Sequence, residues 1–320
     1  MRPRQALRPV VSSRIAAAAA SLRCDVVAAE VAEAFRTAGI ACILLRGPSI
    51  ARHLYSASES RPYADVDLLV TPPVLGQGER LLDDRGFAHS AVLGQRPDDR
   101  PAWSRTWQRP SDGAEVDLHT TIVGVGVPPH EVWALLRENV EPVEVARARL
   151  DGLNAEATLV VVALHAAHHG TELRQPLEDL ARTVERFPTT TWTAAAALAQ
   201  QVAAMPAFAA GLRLLPAGAA LAAGLGLPDA ASAEVILRAG GAPAMALGFE
   251  WLSRVPGFRA KMRLVAGKLV PDVQFMRAWS PLARRGRLGL AAAYGFRIVW
   301  LAWHAIPGFI AWSRARRSAR

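Results

Sequence analysis

The chain is poor in several residue types, and each shortage excludes a class of protein. Only two cysteines, Cys24 and Cys42, occur in 320 residues. They form no CxxC pair, which excludes a disulfide framework and a cysteine-based zinc site. The sequence also lacks the glycine-rich motifs of P-loop and dinucleotide-binding proteins and the GxSxG turn of serine hydrolases. The low cysteine content favours a reducing cytoplasm.

Lysine is almost absent as well. Lys261 and Lys268 are the only two among 37 basic residues, a bias typical of a GC-rich bacterial coding sequence. The net charge is +9, but residues 261–320 alone carry +11, with Asp272 as their one acid, which leaves −2 for the first 260 residues. A basic tail suits an anionic membrane, an acidic partner or nucleic acid, or it is simply a solvated helical face. Nucleic acid is the less favoured partner.

Two segments have some features of membrane-targeting sequences. Residues 2–23 contain five arginines and no acid, and their short alanine-rich run predicts a helix rather than a signal peptide. Residues 288–312 are apolar and long enough to span a bilayer. However, Arg297 and His304 lie inside that segment and Pro307-Gly308 interrupts it. Helices packed on the protein are the preferred interpretation, and peripheral contact with a membrane and a true span stay open.

The hydrophobic pattern predicts an α+β protein in several parts. Short strands are predicted over 40–45, 65–70, 87–93, 103–108 and 114–121, with helices over 48–55 and 74–84 between them. From Ala155 onward alanine-rich helical patterns dominate, broken by prolines. We therefore expect an N-terminal helical segment (1–38), an α/β domain with a mixed sheet (39–150), an all-α domain (151–285) and a basic, tryptophan-rich helical tail (286–320).

The stretch with the clearest chemistry is Arg61-Pro-Tyr-Ala-Asp65-Val-Asp67-Leu-Leu-Val70. Alternate residues of a strand share a face, so Asp65 and Asp67 would present two carboxylates on the same side. Two carboxylates this close repel each other unless a cation lies between them. Oxygen ligands of this kind suit Mg²⁺ or Mn²⁺, although an isolated Asp-x-Asp is more often a solvated strand end.

The surroundings of this motif strengthen the metal interpretation. Upstream, a buried strand ends at Gly47, with Ser49 at the start of a predicted helix, a corner where a phosphate can approach the backbone. Downstream, Asp117 lies on another predicted strand and would complete a three-carboxylate cluster if the two strands are neighbours. His119 shares the face of Asp117 and could contact substrate or orient a carboxylate.

Other polar residues have more than one interpretation. Arg61 could contact a triphosphate, pair with the aspartates or simply hold its loop. His165, His168 and His169 lie on one predicted helix; a zinc site there is less favoured than packing or lining the acceptor side of a cleft.

These motifs together resemble a known family. The series Leu44-Leu45-Arg46-Gly47, Leu54-Tyr55, the Asp65-x-Asp67 stretch, Gly86-Phe87 and Val116-Asp117-Leu118-His119 is similar to the bacterial uncharacterised nucleotidyltransferase family of the DNA polymerase β-like superfamily. The resemblance spans about Ile40 to Thr121, and more loosely 159–184. It departs at Pro48, which stands where the superfamily usually has a second small residue.

The resemblance implies roles for the residues that match. Asp65, Asp67 and Asp117 would hold two Mg²⁺ (or Mn²⁺) ions, and Asp117 would help to deprotonate the acceptor hydroxyl. Gly47 and Ser49 would lie near the triphosphate. Arg46 replaces a lysine that is common in the family, and Pro48 removes one backbone N–H from the phosphate cradle.

The predicted function is therefore transfer of a nucleoside monophosphate from a nucleoside triphosphate, such as ATP, to an acceptor hydroxyl. The acceptor class stays open among sugar, peptide, small molecule, RNA and protein. The alternative is a catalytically inactive nucleotidyltransferase fold that acts as a binding partner in a biosynthetic or toxin–antitoxin system. The predicted location is cytoplasmic, with peripheral membrane contact through the C-terminal tail as an added possibility.

Overall fold

A computed structural model gives the fold of the protein. It describes residues 7–56, 59, 61–89 and 104–319. Residues 90–93 of the strand predicted over 87–93 lie outside the described residues, as does Trp103 at the start of the next predicted strand.

The first half of the chain builds a sheet and the helices that flank it. In chain order its elements are α1 (Leu7–Thr37), β1 (Cys42–Leu44), α2 (Pro48–Leu54), β2 (Val66–Val70), a 3-10 helix (Pro72–Val74), α3 (Leu75–Asp83), β3 (Ala88–His89), β4 (Ser104–Arg109), β5 (Ala114–His119), α4 (Pro129–Arg137), β6 (Val140–Val145) and β7 (Ala148–Leu153). The strands predicted around both aspartate motifs are confirmed. The hairpin of β6 and β7 has no counterpart among the predicted strands.

The second half is helical, as its alanine-rich pattern predicted. Its elements are α5 (Ala155–His169), α6 (Arg174–Arg186), α7 (Thr189–Gln201), α8 (Met205–Leu212), α9 (Pro216–Gly224), α10 (Ala233–Ala239), α11 (Ala244–Arg254), α12 (Phe258–Leu269), α13 (Val273–Trp279), a 3-10 helix (Pro281–Arg284) and α14 (Gly286–Ser318). Two of these helices, α8 and α9, and the 3-10 helix Pro281–Arg284 carry a proline in their first two positions, where it is favoured because its missing N–H would be unpaired there anyway.

The described strands form one mixed sheet in the order β3-β4-β5-β2-β1-β7-β6. β2 runs antiparallel to β1 and parallel to β5, and β1 is parallel to β7. The outer pairs β3–β4, β4–β5 and β6–β7 are antiparallel. The two strands that carry aspartates are therefore neighbours at the centre of the sheet.

The alternation of side chains along β2 divides the core in two. Val66, Leu68 and Val70 pack against α1 on one face. Leu69 belongs to the opposite core, which contains α5. Full burial of each such aliphatic side chain stabilises the fold by about 1.5–3 kcal/mol. This burial fixes the strand's orientation, so the aspartate at position 67 must point to the face that α5 covers.

The C-terminal helix corrects one expectation. The interruption predicted at Pro307-Gly308 is wrong, because α14 continues through Pro307 to Ser318. Gly308 is buried against α11, where an added Cβ would lie 2.6 Å from the Cβ of Met245. This close packing offsets the hydrogen bond that proline removes from the helix. Within the described residues, no helix meets the length and apolarity needed to cross a membrane.

Candidate active site

The two aspartate strands bring their carboxylates together as the alternation predicted. In the parallel pairing of β2 with β5, Asp67 lies opposite Asp117, and His119 follows two residues later on the same face. Arg46, Asp65, Asp117 and His119 line a cavity of about 400 Å³, and Asp67, at 2% exposure, is buried beside Arg46 and His119.

Asp67 is held by two cationic or hydrogen-bonding neighbours. Arg46, just after β1, donates from Nε to Oδ2 of Asp67 at 2.8 Å and from its terminal nitrogen to the other oxygen. Nε2 of His119 lies 3.0 Å from Oδ1 of Asp67. Burial opposes ionisation of Asp67, but Arg46 and His119 outweigh it and hold the pKa of that carboxyl well below its usual range. Asp67 is therefore a carboxylate at all physiological pH values.

Asp65 has the opposite electrostatic setting. It lies just before β2 on the wall of the same cavity. Burial, and then the charge of Asp67, raise its pKa to about 6. Asp117 adds to this repulsion, and it accepts a hydrogen bond from Oγ1 of Thr106 at 2.5 Å. One arginine therefore faces three carboxylates, and the cavity has an excess of negative charge.

This excess fits a divalent cation. One ligand atom each from Asp67, Asp117 and His119 lies within 4.8 Å of the other two, and among the described residues no other histidine, cysteine or carboxylate group of three meets this geometry. The two carboxylates of this group suit Mg²⁺ or Mn²⁺. The sequence predicts only that His119 contacts substrate or orients a carboxylate. Asp65, which the sequence predicts as a metal ligand, is not a member of this group of three.

Comparison with known proteins identifies the chain. The profile of a family described as uncharacterised nucleotidyltransferases matches residues 2–217. The chain belongs to this family. It is therefore a nucleotidyltransferase, an enzyme class that transfers a nucleotide unit, as the aspartate motifs predicted.

Solved structures give only partial overlap. The antibiotic-resistance factor ANT(2'')-Ia, seen in solution, is 13% identical and has a TM-score of 0.40, with 59% of this chain and 95% of that chain covered. The lincomycin-bound lincosamide antibiotic adenylyltransferase LnuA is 12% identical, with a TM-score of 0.34 and coverage of 48% and 92%. An antigenic nucleotidyltransferase-like protein from Paracoccidioides brasiliensis is 15% identical, with a TM-score of 0.35 and coverage of 56% and 88%. No curated protein matches the chain. The family assignment therefore depends on the profile.

The glycine corner of this nucleotidyltransferase has a left-handed backbone. Gly47 has φ of 62° directly before α2, and a Cβ added there would lie 3.4 Å from the ring of Tyr63. The positive φ favours glycine at this position, whereas the distance to Tyr63 is an ordinary van der Waals contact. Ser49 is fully buried, and its hydroxyl accepts the N–H of Leu153 at 3.2 Å. That hydroxyl therefore ties α2 to β7 and faces away from solvent.

Arg61 lies with the helical half of the chain. Its Nε and one terminal nitrogen donate to both oxygens of Asp179 on α6, at distances down to 2.7 Å, and both side chains are buried. Tyr55 donates to Asp179 at 2.8 Å, and Gln175 donates to both. Of the three roles open for Arg61, the structure shows the structural one: it anchors the segment that leads to Asp65. Since 118 residues separate the pair, spacing alone gave no signal for it.

Three histidines of α5 face the carboxylates across the cavity. His165, His168 and His169 all line it, and the ring of His169 is 4.7 Å from each of the other two. Burial, and then the positive charge of Arg46, lower the pKa of His165 and of His169. The imidazoles of His165 and His169 are therefore neutral at physiological pH, and all three histidines line the cavity on its helical side.

Proposed function

We propose that this protein transfers a nucleoside monophosphate from a nucleoside triphosphate to an acceptor hydroxyl. The acceptor oxygen forms a bond to the α-phosphorus, the bond from that phosphorus to the β-phosphate oxygen breaks, and pyrophosphate leaves. The observation that supports this most is the register that sets Asp67 opposite Asp117, with His119 completing a compact group of ligands.

We propose Asp67 and Asp117 as ligands of Mg²⁺ or Mn²⁺, with Asp65 as a further carboxylate of the same site. When bound, the ion would neutralise phosphate charge and lower the pKa of the acceptor hydroxyl. Asp117 accepts the proton of the acceptor, since it is the more accessible of the two carboxylates. His119 orients Asp67 through their 3.0 Å contact.

The phosphate-binding roles follow from the corner after β1. Arg46 lines the cavity and carries the positive charge closest to the carboxylates, and Gly47 follows it as the residue that precedes α2. We assign these two residues to the triphosphate. Ser49 and Arg61 act indirectly, because one fixes α2 to β7 and the other fixes the Asp65 segment to α6.

This assignment gives each part of the chain a separate role. Residues 39–150 would bind the nucleotide and the metal, and residues 151–285 would close the cavity and select the acceptor. Within segment 1–38, α1 (Leu7–Thr37) covers the far face of the sheet, and segment 286–320 would be the basic tail, which includes α14.

Calorimetric titration tests the proposal. ATP, GTP, CTP and UTP, each with Mg²⁺, are titrated into wild type, Asp117→Asn and Asp67→Asn, with Asp83→Asn on an exposed position of α3 as the matched control. We expect Mg²⁺-dependent binding of at least one nucleotide, weakened about tenfold or more in both site variants, a loss of about 1.4 kcal/mol or more, and unchanged in the control. Circular dichroism verifies that the variants are folded. Equal binding by all four proteins would refute the metal site.

A second candidate function is an inactive fold that binds a partner. Pro48 favours it, since this residue occupies the first position of α2 and offers no N–H to a phosphate. If no nucleotide binds to the wild type under any metal condition, this alternative replaces the first.

The C-terminal helix α14 has an exposed surface that suits contact with a further partner. α14 packs through Gly289, Arg297 and Gly308, and its other side leaves Val299 and Trp303 67% and 77% exposed. Arginines flank this apolar stripe at both ends, and residues 261–320 together carry a net charge of +11. A second copy would meet like charge, so we propose an anionic membrane surface as the partner.

Sedimentation with vesicles tests this contact. Wild type should bind phosphatidylglycerol vesicles more strongly than phosphatidylcholine vesicles, and Val299→Glu/Trp303→Glu should abolish the binding. The control is Leu22→Glu/Val26→Glu, which places the same charges on exposed apolar positions of α1. Loss of binding in both double variants alike, or in neither, would count against the contact.

A further inference from the structure

A second cavity, of about 580 Å³, lies next to the carboxylate cavity. The two share Ile122, Val123, Leu164 and His168 in their linings, so these four side chains form a ridge between them. The volume is within the range of about 300–1,000 Å³ that small-molecule sites occupy. Only this ridge would therefore separate a molecule bound in the second cavity from the proposed site of transfer.

The walls of this cavity are mainly apolar and closely packed. One wall is the segment 121–127, which follows β5 and contains two glycines, and the opposite wall includes Ala203, Pro206 and Ala207. An added Cβ at Gly126 would lie 3.0 Å from that of Ala203, and the N–H of Gly126 donates to Val202 at 3.0 Å. Such contact holds the wall in place and leaves few polar groups for a ligand to satisfy.

The charged groups of the cavity lie together on α10 and at the end of α11. Glu234 is the only acid among the described residues that line it. Arg238 donates to Glu234 at 3.2 Å from two nitrogens, and Arg254 donates to it at 2.7 Å. Arg238 also lies 3.1 Å from Nδ1 of His168 on the ridge. Arg254 also donates to Glu250, outside the lining, at 3.0 Å, so two arginines meet two carboxylates and neither acid is left without a cationic partner.

This charge distribution selects against cations. A polycationic ligand would meet two arginines and compete with them for a carboxylate that both already bind. An uncharged ligand meets no such penalty, and its apolar body would cover the walls. The chemistry of the lining therefore favours one class of small molecule.

Resting on the proposed function, we infer that this cavity holds the acceptor, and that the acceptor is an uncharged hydroxyl compound with an apolar body. Its hydroxyl would extend past His168 into the carboxylate cavity, while its body stays between the segment 121–127 and α10. The cavity is thus a specificity-determining site for the transfer, and it disfavours polyamine sugars.

The test uses two sugar probes of opposite character. Octyl glucoside below its micellar concentration is uncharged with an apolar chain, and kanamycin is polycationic. Saturation-transfer NMR measures the binding of each to the full-length wild type, to Val235→Trp, which fills the cavity from α10, and to Val26→Trp, an exposed position on α1 that serves as the matched control.

We expect octyl glucoside to bind the wild type and Val26→Trp equally. It should bind Val235→Trp at least about tenfold more weakly. Kanamycin should show no binding that Val235→Trp removes. Equal octyl glucoside binding by Val235→Trp and wild type, no binding to the wild type, or kanamycin binding that Val235→Trp abolishes would each overturn the inference.

Titration of nucleotide with Mg²⁺ into the same proteins separates this inference from the proposed function. If Val235→Trp keeps wild-type nucleotide binding while it loses octyl glucoside, the acceptor cavity is distinct from the nucleotide site, as inferred. If the wild type binds no nucleotide, the proposed function fails, and with it the acceptor role. In that case the octyl glucoside result still decides whether the cavity binds uncharged apolar molecules.

Discussion

Asp65 carries the clearest electrostatic cost in the protein, and replacing it should stabilise the fold. Burial, then the charge of Asp67, raises its pKa from 3.8 to about 6. A raised pKa in an acid means that the folded state binds the proton more tightly than the unfolded state does, so ionisation opposes folding. Stability attributable to this group is therefore highest at acidic pH and falls as pH rises between the two values.

The magnitude follows from the shift. A rise of about two pKa units, at about 1.4 kcal/mol each, costs about 3 kcal/mol once the carboxyl is fully ionised, above about pH 7. At about pH 4, where the folded-state group is protonated and the unfolded-state group is only about half ionised, the cost falls below about 1 kcal/mol. Asp65→Asn removes the charge at nearly constant shape, so it should recover up to this difference.

Urea unfolding in the presence of EDTA measures the effect, since a bound cation would offset the repulsion. Asp65→Asn should be more stable than wild type by about 2–3 kcal/mol near pH 8, and the difference should shrink towards zero near pH 4. Asp83→Asn, on an exposed surface, provides the pH baseline. A difference that does not change with pH, or a destabilised Asp65→Asn at pH 8, would refute the electrostatic reasoning.

Three further variants test the rest of the structure. Arg61→Met should destabilise the protein by about 3–5 kcal/mol in urea unfolding, because it leaves the buried charge of Asp179 without its arginine. Arg61→Met/Asp179→Leu should recover most of that loss. A double variant as unstable as Arg61→Met would argue against the importance of the ion pair. Pro48→Ser should tighten nucleotide binding by about fivefold in calorimetry, because one new N–H contributes about 1 kcal/mol, whereas an unchanged affinity would remove Pro48 from the phosphate site. Gly211→Ala should cost about 1–3 kcal/mol or more, because its Cβ would lie 2.1 Å from a backbone oxygen of α5; Gly248→Ala, where no atom lies within 4 Å, should be neutral or stabilising, and equal effects at both sites would contradict the packing argument.

The carboxylate pairing could be predicted because it depends on local rules. Alternation along a strand places Asp65 and Asp67 on one side and Val66, Leu68 and Val70 on the other, and burial of Val66 and Leu68 enforces that orientation. The position of Asp117 required one further assumption, that its strand is a neighbour. The register of β2 with β5 meets that condition.

The partners of the arginines could not be predicted, since they depend on tertiary packing. Arg61 and Asp179 meet only because α6 lies against the segment before β2. Similarly, the hydroxyl of Ser49 turns towards Leu153 because β7 lies beside α2, and β7 itself was not among the predicted strands. A side chain's type indicates which contacts are possible, but the choice between phosphate and protein partners depends on the packed fold.

The charge balance of the cavity separates the two candidate functions. A fold that had lost its chemistry would need only Arg46 to neutralise Asp67, and that pair is already complete. Arg46 offsets only part of the cost at Asp65, because the pKa of that carboxyl stays raised to about 6, and ionisation of Asp65 costs the folded state about 3 kcal/mol at neutral pH. A divalent cation shared with Asp117 would remove that cost, because it supplies the charge that one arginine lacks. Asp65 is therefore favourable in this cavity only if a cation binds there, which argues for the metal-dependent transferase over the inactive fold.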